Sequence, residues 1–280
     1  MLRSASFMVQ RYLLGRHTLL ARVPQFGLEM RVPARDTLGR NLFMQGVHAP
    51  EVSDFIATTL EIAPGELVFD IGAGVGWHTL LLARLLPRDA EIHAFEPDPW
   101  ARGLLQENAS RNRVTALTVV DAALGERSGA AELHRNGSRR RDGLFAATRA
   151  DALPVAMLSL DDYCRRNGLA ERPLAFIKLG VQGFEHDVLR GARETLARCR
   201  ALLMEYAPGL LDAAGTHPAV VLDLLVAHGF NPAIIEPDGA RAVTRAEILA
   251  ADRACNLWWR RPGSDPDRRT EPPDPAVLGI

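Results

Sequence analysis

Three closely spaced glycines, in the segment GAGVG at 72–76, follow a short apolar run. Glycines at this spacing let the chain turn tightly and let a ligand approach the backbone where a side chain would collide. The apolar run, 67–71, is typical of a buried strand, and the residues after Gly76 are typical of a helix. Because free N–H groups at such a helix start attract polar ligands, the segment predicts a ligand site at the carboxyl edge of the strand.

The spacing of the glycines distinguishes between ligands. Dinucleotide sites use G-x-G-x-x-G, whereas the third glycine here comes one residue early, which disfavours a dehydrogenase. Asp70 lies two residues before the first glycine, Glu96 ends the second predicted strand, and Asp121 ends the third. An acid at the end of each of three successive strands is the layout of S-adenosylmethionine sites.

In that layout Asp70 faces the methionine portion of the donor, Glu96 accepts both ribose hydroxyls, and Asp121 receives the adenine amino group. The predicted donor-binding residues are Asp70, Gly72, Ala73, Gly74, Gly76, Trp77, Glu96, Pro97, Asp121 and Ala122.

The elements around these residues alternate between strands and helices. This order indicates an α/β fold with right-handed βαβ units and a mostly parallel sheet that helices cover on both faces. The expected strands are 67–71, 91–96, 115–121, 154–160, 174–180, 201–206 and 254–260, and the expected helices are 53–62 (capped by Ser53), 76–86, 100–111, 161–168, 184–197 and 218–228.

The ends of the chain differ from its middle. Residues 1–28 contain four arginines and no acid. We expect a basic amphipathic extension that packs on the main domain or on a second subunit; a transit peptide or a membrane-surface helix is the alternative. Short strands are expected over 26–47, which gives an N-terminal region of 1–52, a catalytic domain of 53–261 and a Pro-rich disordered tail of 262–280.

Composition excludes several classes. The net charge of −1 gives no basic field for a nucleic-acid partner, and no apolar run is long enough to span a bilayer. The three cysteines have no short spacing, so we expect no disulfide framework or zinc knuckle and predict a cytoplasmic protein. Lys178 is the one lysine among 33 basic residues, so either a titratable ammonium is needed there or the position is chance.

Six segments, taken together, resemble the FkbM-type methyltransferases from about residue 36 to residue 259. They are VFDIGAGVGWHTLLLA (68–83), AFEPDP (94–99), ALGERSG (123–129), LDDYC (160–164), PLAFIKLGVQGFEHDVLRGA (173–192) and LLMEY (202–206). The resemblance implies a Rossmann-like class I methyltransferase fold with a seven-stranded sheet, S-adenosylmethionine as donor, and an enzyme of class EC 2.1.1. It also implies a small-molecule or glycan acceptor that is methylated on a hydroxyl of a sugar or natural product, as in secondary metabolism. The excess of arginine over lysine, together with frequent alanine, is typical of a GC-rich bacterial genome.

The chain departs from the family signature, Lys-x-Asp-x-Glu-Gly-x-Glu, in the segment 178–185. Gly180 and Gln182 replace two carboxylates, and an aromatic-Glu-Pro element is altered to His-Ala-Pro at 48–50. Without those oxygens we expect no bound metal. We predict that Lys178, Glu185 and Glu205 orient or deprotonate the acceptor, although Lys178 could instead only pair with one of the two glutamates.

Further alternatives stay open at this point. His78 follows the glycine turn and could lie over the donor or the acceptor, and His186 is a weaker candidate for the proton acceptor. The loss of two carboxylates also allows transfer to nitrogen or to an acidic hydroxyl, for which no strong base is needed. A third reading is a catalytically degenerate protein that binds the donor and serves as a scaffold.

Overall fold

The computed structural model of the chain describes residues 2–134 and 152–262. Its strands are β1 (Thr18–Val23), β2 (Leu28–Pro33), β3 (Leu67–Ile71), β4 (Glu91–Phe95), β5 (Leu117–Val120), β6 (Ala123–Leu124), β7 (Gly129–His134), β8 (Ala152–Leu158), β9 (Leu174–Leu179), β10 (Cys199–Tyr206), β11 (Asn231–Glu236), β12 (Gly239–Ala242) and β13 (Cys255–Arg260). Its α-helices are α1 (Leu2–Met8), α2 (Thr37–Gln45), α3 (Pro50–Thr59), α4 (Trp77–Leu85), α5 (Pro99–Arg111), α6 (Leu160–Arg166), α7 (Glu185–Arg190), α8 (Arg193–Arg198), α9 (Pro208–Ala213), α10 (Pro218–Ala227) and α11 (Arg245–Ala251).

The main sheet has eight strands in the order β12-β11-β13-β10-β9-β3-β4-β5. The five strands from β10 to β5 are parallel, and β13, β11 and β12 complete the sheet antiparallel at one edge. The α/β architecture with a mostly parallel sheet confirms the predicted fold class. The main sheet has eight strands rather than the expected seven. The expected strand 154–160 lies in β8, which forms a separate small sheet with β6 and β7, and the unpredicted β11–β12 hairpin adds two strands to the edge of the main sheet.

Helices cover both faces of the sheet, and the central strands β3 and β9 are therefore apolar except for one charged residue each, Asp70 and Lys178. Every residue of β3 and β9 is buried. Within β3, Leu67, Phe69 and Ile71 join the larger core, whereas Val68 faces the opposite core with Phe55 of α3. This alternation fixes the register of β3, whose carboxyl end carries the glycine turn.

Two asparagines join the N-terminal region to the main domain: Asn108 of α5 and Asn112, the residue that follows the end of that helix. The Asn108 carboxamide accepts from Arg31 N at 2.6 Å and donates to Arg31 O at 3.0 Å. One turn later, Asn112 bonds the N–H and C=O of Glu29 at 3.0 and 2.7 Å. Asn108 and Asn112 are four residues apart, a rise of about 6 Å along a helix, and Arg31 and Glu29 are two residues apart, a rise of about 7 Å along a strand. Because the two spacings match, the carboxamides bond the free edge of β2 as a neighbouring strand would.

Several sequence expectations fail in this region. Residues 37–45 form α2 instead of a strand, because the Asp36 side chain caps the helix by accepting from Gly39 N at 2.6 Å. α3 begins at Pro50, so the predicted boundary at 53 falls inside a helix; Ser53 is no cap and donates to His48 O. The Pro-rich tail from residue 262 lies outside the described residues except for its first residue.

The remaining helices keep their predicted places with one exception. The expected helix 184–197 is split into α7 and α8 around Gly191, where a Cβ would lie 2.1 Å from Gly125 O. Within the part of the chain that the structure describes, no helix is long and apolar enough to cross a membrane.

Candidate active site

The glycine turn at the end of β3 forms the floor of the site. Gly72 and Gly74 have φ of 78° and 56°, and the N–H groups of Gly72 and Ala73 both donate to Phe95 O at 3.1 Å. A Cβ at Gly72 would lie 2.1 Å from Gly180 O, whereas a Cβ at Gly74 would meet nothing within 4 Å. Gly72 is therefore needed for close packing of two chain segments, and Gly74 leaves its backbone open to a ligand.

A cavity of about 550 Å³ lies over this turn, at the carboxyl ends of β3, β4, β9 and β10. This is the position at which open α/β sheets bind ligands. Its wall includes Leu38, His48, Gly72, Ala73, Gly74, Trp77, His78, Glu96, Pro97, Trp100, Ala122, Lys178, Gly180, Gln182 and Glu205.

Glu96 is the acid that the turn holds at the cavity. Its two carboxylate oxygens accept from Gly74 N at 2.7 Å and from Asp98 N at 2.8 Å. Burial raises the pKa of Glu96 to about 7, although these two hydrogen bonds favour the ionised form. The carboxylate is thus oriented by the backbone and lies on the cavity wall, while its predicted contact with the ribose hydroxyls stays a prediction.

Asp70 lies behind the floor and is not on the cavity wall. It is fully buried, and one carboxylate oxygen accepts from Thr79 Oγ1 at 2.5 Å. Its Oδ1 has no hydrogen-bond partner among the described residues, and burial raises the pKa of Asp70 although Lys178 opposes the shift. Asp70 is therefore placed one layer behind the residues that line the cavity, and its contact with the donor stays a prediction.

Two other predicted donor-binding residues are also displaced from the cavity. Asp121 points into solvent, with its side chain 68% exposed, and pairs with Arg102 at 2.7 Å. Gly76 begins α4, where a Cβ would meet Leu105 Cδ1 at 2.5 Å, so this glycine allows two helices to pack. Trp77 reaches the cavity wall, but its ring packs edge-on against Phe26 in the N-terminal core.

Lys178 and Glu205 form an ion pair on the opposite side of the cavity. Lys178 Nζ lies 3.2 Å from Glu205 Oε1 and donates to Gly72 O at 3.3 Å. Although burial alone would raise the pKa of Glu205, the Lys178 ammonium holds it below its usual range. Burial would likewise lower the pKa of Lys178, but the carboxylates of Glu205 and Asp70 raise it. Both groups are therefore charged, and the pairing left open by the sequence is with Glu205.

Glu185, the third predicted catalytic residue, does not reach the cavity. Its buried carboxylate accepts from Val181 N at 3.2 Å and from Gly183 N at 2.9 Å. It therefore stabilises the turn after β9, in which Gln182 takes a positive φ of 57°. That turn presents the Gln182 carboxamide to the cavity, 3.5 Å from Glu205 Oε2.

Two histidines complete the acceptor side. Burial lowers the pKa of His78 to about 3 and also lowers the pKa of His48, so both rings are neutral at physiological pH. His78 Nε2 has no hydrogen-bond partner in the described part of the chain, and His48 Nδ1 lies 3.3 Å from Asn41 Nδ2. The sequence indicated His48 only as part of the altered His-Ala-Pro element. No local pattern in the residues before it predicted that His48 would line this cavity.

The residues present fit a nucleoside donor that carries a positive charge. Gly74 leaves open backbone, Glu96 is an oriented carboxylate, and Pro97 and Ala122 offer apolar contact. Within residues 2–134 and 152–262, no three His, Cys, Asp or Glu side chains converge as a metal site. A second concavity, of about 750 Å³ between α3 and the β11–β12 hairpin, lacks a comparable glycine turn.

This fold and site define a methyltransferase of the Rossmann-like class. The sequence over residues 70–232 matches the family described as "Methyltransferase FkbM domain", which is more than half of the chain. The protein therefore belongs to the FkbM methyltransferase family, as the sequence resemblance predicted.

Two curated relatives agree with this assignment. The chain is 29% identical over 204 residues to the 2-O-methyltransferase NoeI of Sinorhizobium fredii, which covers 65% of this chain and 82% of the relative. It is also 29% identical over 224 residues to the 31-O-demethyl-FK506 methyltransferase FkbM of Streptomyces tacrolimicus, covering 69% and 83%. A crystal structure of methyltransferase FkbM from Methylobacillus flagellatus is 17% identical with a TM-score of 0.48; the match covers 78% of this chain and 49% of that chain.

Proposed function

We propose that this protein transfers the methyl group of S-adenosylmethionine to a hydroxyl oxygen of a sugar or natural-product acceptor. The observation that carries the proposal is that one cavity is bounded by the Gly74–Glu96 pair on one side and by the Lys178–Glu205 pair on the other. The names of both curated relatives specify an oxygen acceptor, which supports the same choice here.

Glu96 and the glycine turn would hold the donor. The Glu96 carboxylate is positioned to accept the ribose hydroxyls, while Gly74 allows close approach and Ala122 lines the adenine side. When bound, S-adenosylmethionine supplies a methyl carbon that passes to the acceptor oxygen as its bond to sulfur breaks and sulfur keeps the electron pair. Most of the rate enhancement then comes from proximity and orientation of the two reactants.

Glu205 would receive the acceptor hydroxyl. Its side chain is 36% exposed toward the cavity, and Lys178 keeps it ionised, so it can accept a hydrogen bond and then the departing proton. Lys178 is a positioning residue in this scheme. The neutral ring of His78, beside the same carboxylate, adds a second group that can hydrogen-bond the acceptor.

Calorimetry tests the donor half of the proposal. Titration of S-adenosylmethionine and S-adenosylhomocysteine into the protein should give saturable binding that Glu96→Ala abolishes. Glu132→Ala is the matched control: Leu133 of β7 lines the cavity, but the Glu132 side chain lies on the opposite face of that strand and is 65% exposed, so binding should be unchanged. Absence of binding to folded wild-type protein would contradict the proposal.

An acceptor screen tests the transfer half. Release of S-adenosylhomocysteine is followed with a panel of glycosides and hydroxylated natural products, and Glu205→Gln should lower kcat by about a hundredfold on an active acceptor. The double variant Gly180→Asp with Gln182→Glu restores both carboxylates of the family signature and distinguishes an active enzyme from a catalytically degenerate scaffold. If the wild type is an active enzyme, the double variant should be less active than the wild type. Activity that appeared only in the double variant would identify the wild type as a donor-binding scaffold.

A further inference from the structure

An exposed apolar patch lies at the N-terminus, outside the active site. Met8, Val9, Tyr12, Leu13 and Leu14 are 55%, 42%, 60%, 78% and 58% exposed. These residues, here called the Met8–Leu14 patch, are five of the eight large hydrophobic side chains that are exposed within the described part of the chain. Scattered exposed hydrophobics are ordinary, but a contiguous group of this kind marks an interaction surface.

The patch is held firmly on the protein. Phe7, on the inner side of α1, is 5% exposed and packs against Phe43 of α2 with ring centroids 5.7 Å apart. The chain after α1 continues as a π-helical turn, Val9–Leu13, which the bond from Leu14 N to Val9 O closes at 3.0 Å. α2 then connects the patch to the active site, because Leu38 in its first turn lines the cavity.

Charge distinguishes the patch from the rest of the surface. Residues 1–28 carry four arginines and no acid, a formal charge of +4, so the remaining residues carry −1 − 4 = −5. Within the patch, the Arg11 guanidinium lies 4.7 Å from the centroid of the Tyr12 ring. Arg16 follows just after the patch and bonds Gln10 at 3.1 Å, which leaves both arginines beside the apolar side chains.

This combination fits an anionic lipid surface better than a second copy of the chain. Apolar side chains interspersed with arginines bind the boundary between headgroups and acyl chains. A two-fold contact between copies would instead place the same arginines against themselves. Because the residues after 28 sum to a formal charge of −5, an anionic bilayer would repel that part of the chain and favour contact through the N-terminal residues. We propose that the Met8–Leu14 patch docks this enzyme peripherally on an anionic bilayer.

Vesicle flotation of the full chain tests this docking. The probes are vesicles of pure phosphatidylcholine and vesicles with about one third phosphatidylglycerol, which give a negative surface. We expect at least tenfold stronger binding to the anionic vesicles, with binding lost at high salt because the attraction is screened. Equal binding to both vesicles, or no binding to either, would overturn the proposal.

Three double variants assign the effect to the patch. Arg11→Glu with Arg16→Glu should weaken binding at least tenfold, since each basic residue near an anionic membrane contributes about fivefold. Tyr12→Ser with Leu13→Ser should also weaken binding at least tenfold, because membrane affinity scales with the apolar area that is buried. Val220→Ser with Val226→Ser is the matched control, because these side chains are 43% and 46% exposed on α10. Unchanged circular dichroism confirms folding of each variant.

Self-association is the competing outcome. If sedimentation shows a dimer that only Tyr12→Ser with Leu13→Ser dissociates, and flotation is unaffected, the patch is a subunit interface and the lipid proposal is wrong. Donor binding is measured in parallel and does not depend on either result.

Discussion

Lys178 and Glu205 lie 3.2 Å apart over the Cα of Gly180 and occupy the space that a side chain at residue 180 would need. A Cβ there would lie 2.5 Å from Lys178 Nζ and 2.9 Å from Glu205 Oε1. The backbone at Gly180 permits a side chain, since its φ is not positive, but a side chain there would require the Lys178 ammonium and the Glu205 carboxylate to move. The carboxylate of Glu205, from the neighbouring strand, thus lies in the space that a side chain at residue 180 would enter.

Gly180→Ala should therefore destabilise the protein by about 1–3 kcal/mol, the usual cost of overpacking, and should separate the ion pair. The measurement is urea unfolding. Gly103→Ala is the matched control: Gly103 is exposed in α5, its Cβ would meet nothing within 4 Å, and alanine favours a helix by up to about 1 kcal/mol. If both substitutions changed stability equally, the ion pair would not constrain residue 180.

Donor binding should depend on pH through Glu96. With a pKa of about 7 in the free protein, its ionised fraction rises about tenfold between pH 6 and pH 8. Because ribose hydroxyls donate to the ionised carboxylate, S-adenosylmethionine should bind about tenfold more tightly at pH 8 than at pH 6. Calorimetry at both values measures this, and Glu96→Gln should bind weakly with no such dependence. A pH-independent wild type would show that Glu96 does not face the donor.

Glu96 should also make the stability of the free protein depend on pH, but in the opposite sense to donor binding. Its pKa is raised on folding, so between about 4.5 and 7 the folded state binds more protons than the unfolded state. The free energy of unfolding should therefore fall as pH rises through this window and level off above it. Urea unfolding of Glu96→Gln beside the wild type isolates the contribution, because the variant lacks it.

Asp121→Asn should leave donor binding within about twofold of the wild type. Its side chain is 68% exposed and paired with Arg102, and exposed ion pairs contribute about 0–1 kcal/mol to stability. Calorimetry and thermal unfolding check both expectations. A tenfold loss of affinity would instead support the adenine contact predicted from the sequence, and would require the Arg102 pair to open when the donor binds.

Local sequence patterns predicted part of the site. The glycine turn and Glu96 could be placed because each follows its strand directly, and neighbouring parallel strands end at one edge. Asp121 occupies a similar place in the sequence, but no local pattern shows that Arg102, 19 residues earlier on a helix, would draw it outward. A charged partner from another element decided the direction of that side chain.

Other features required the tertiary arrangement. The Lys178–Glu205 pair forms because β9 and β10 are neighbours with Lys178 opposite Leu203, a register that the sequence does not state. The segment of α2 was predicted as strand, but Gly39 lies in the first turn of this helix, where a Cβ would lie 1.8 Å from Pro33 O. The glycine is needed there for close backbone contact, which no local propensity reports.

Asn108→Ala should destabilise the protein by about 3 kcal/mol, because it leaves backbone groups of Arg31 and Val75 without partners in a buried position. Asn112→Ala is the matched control: its carboxamide bonds Glu29 in the same way, but the site is half-buried, so water can replace it at a cost of about 1 kcal/mol. Because Val75 belongs to the glycine turn, Asn108→Ala should also weaken donor binding, whereas Asn112→Ala should not. Urea unfolding and calorimetry on both variants measure the two effects. Equal and small costs would mean that β2 is a loosely attached extension, and that the domain starts near residue 53 as the sequence predicted.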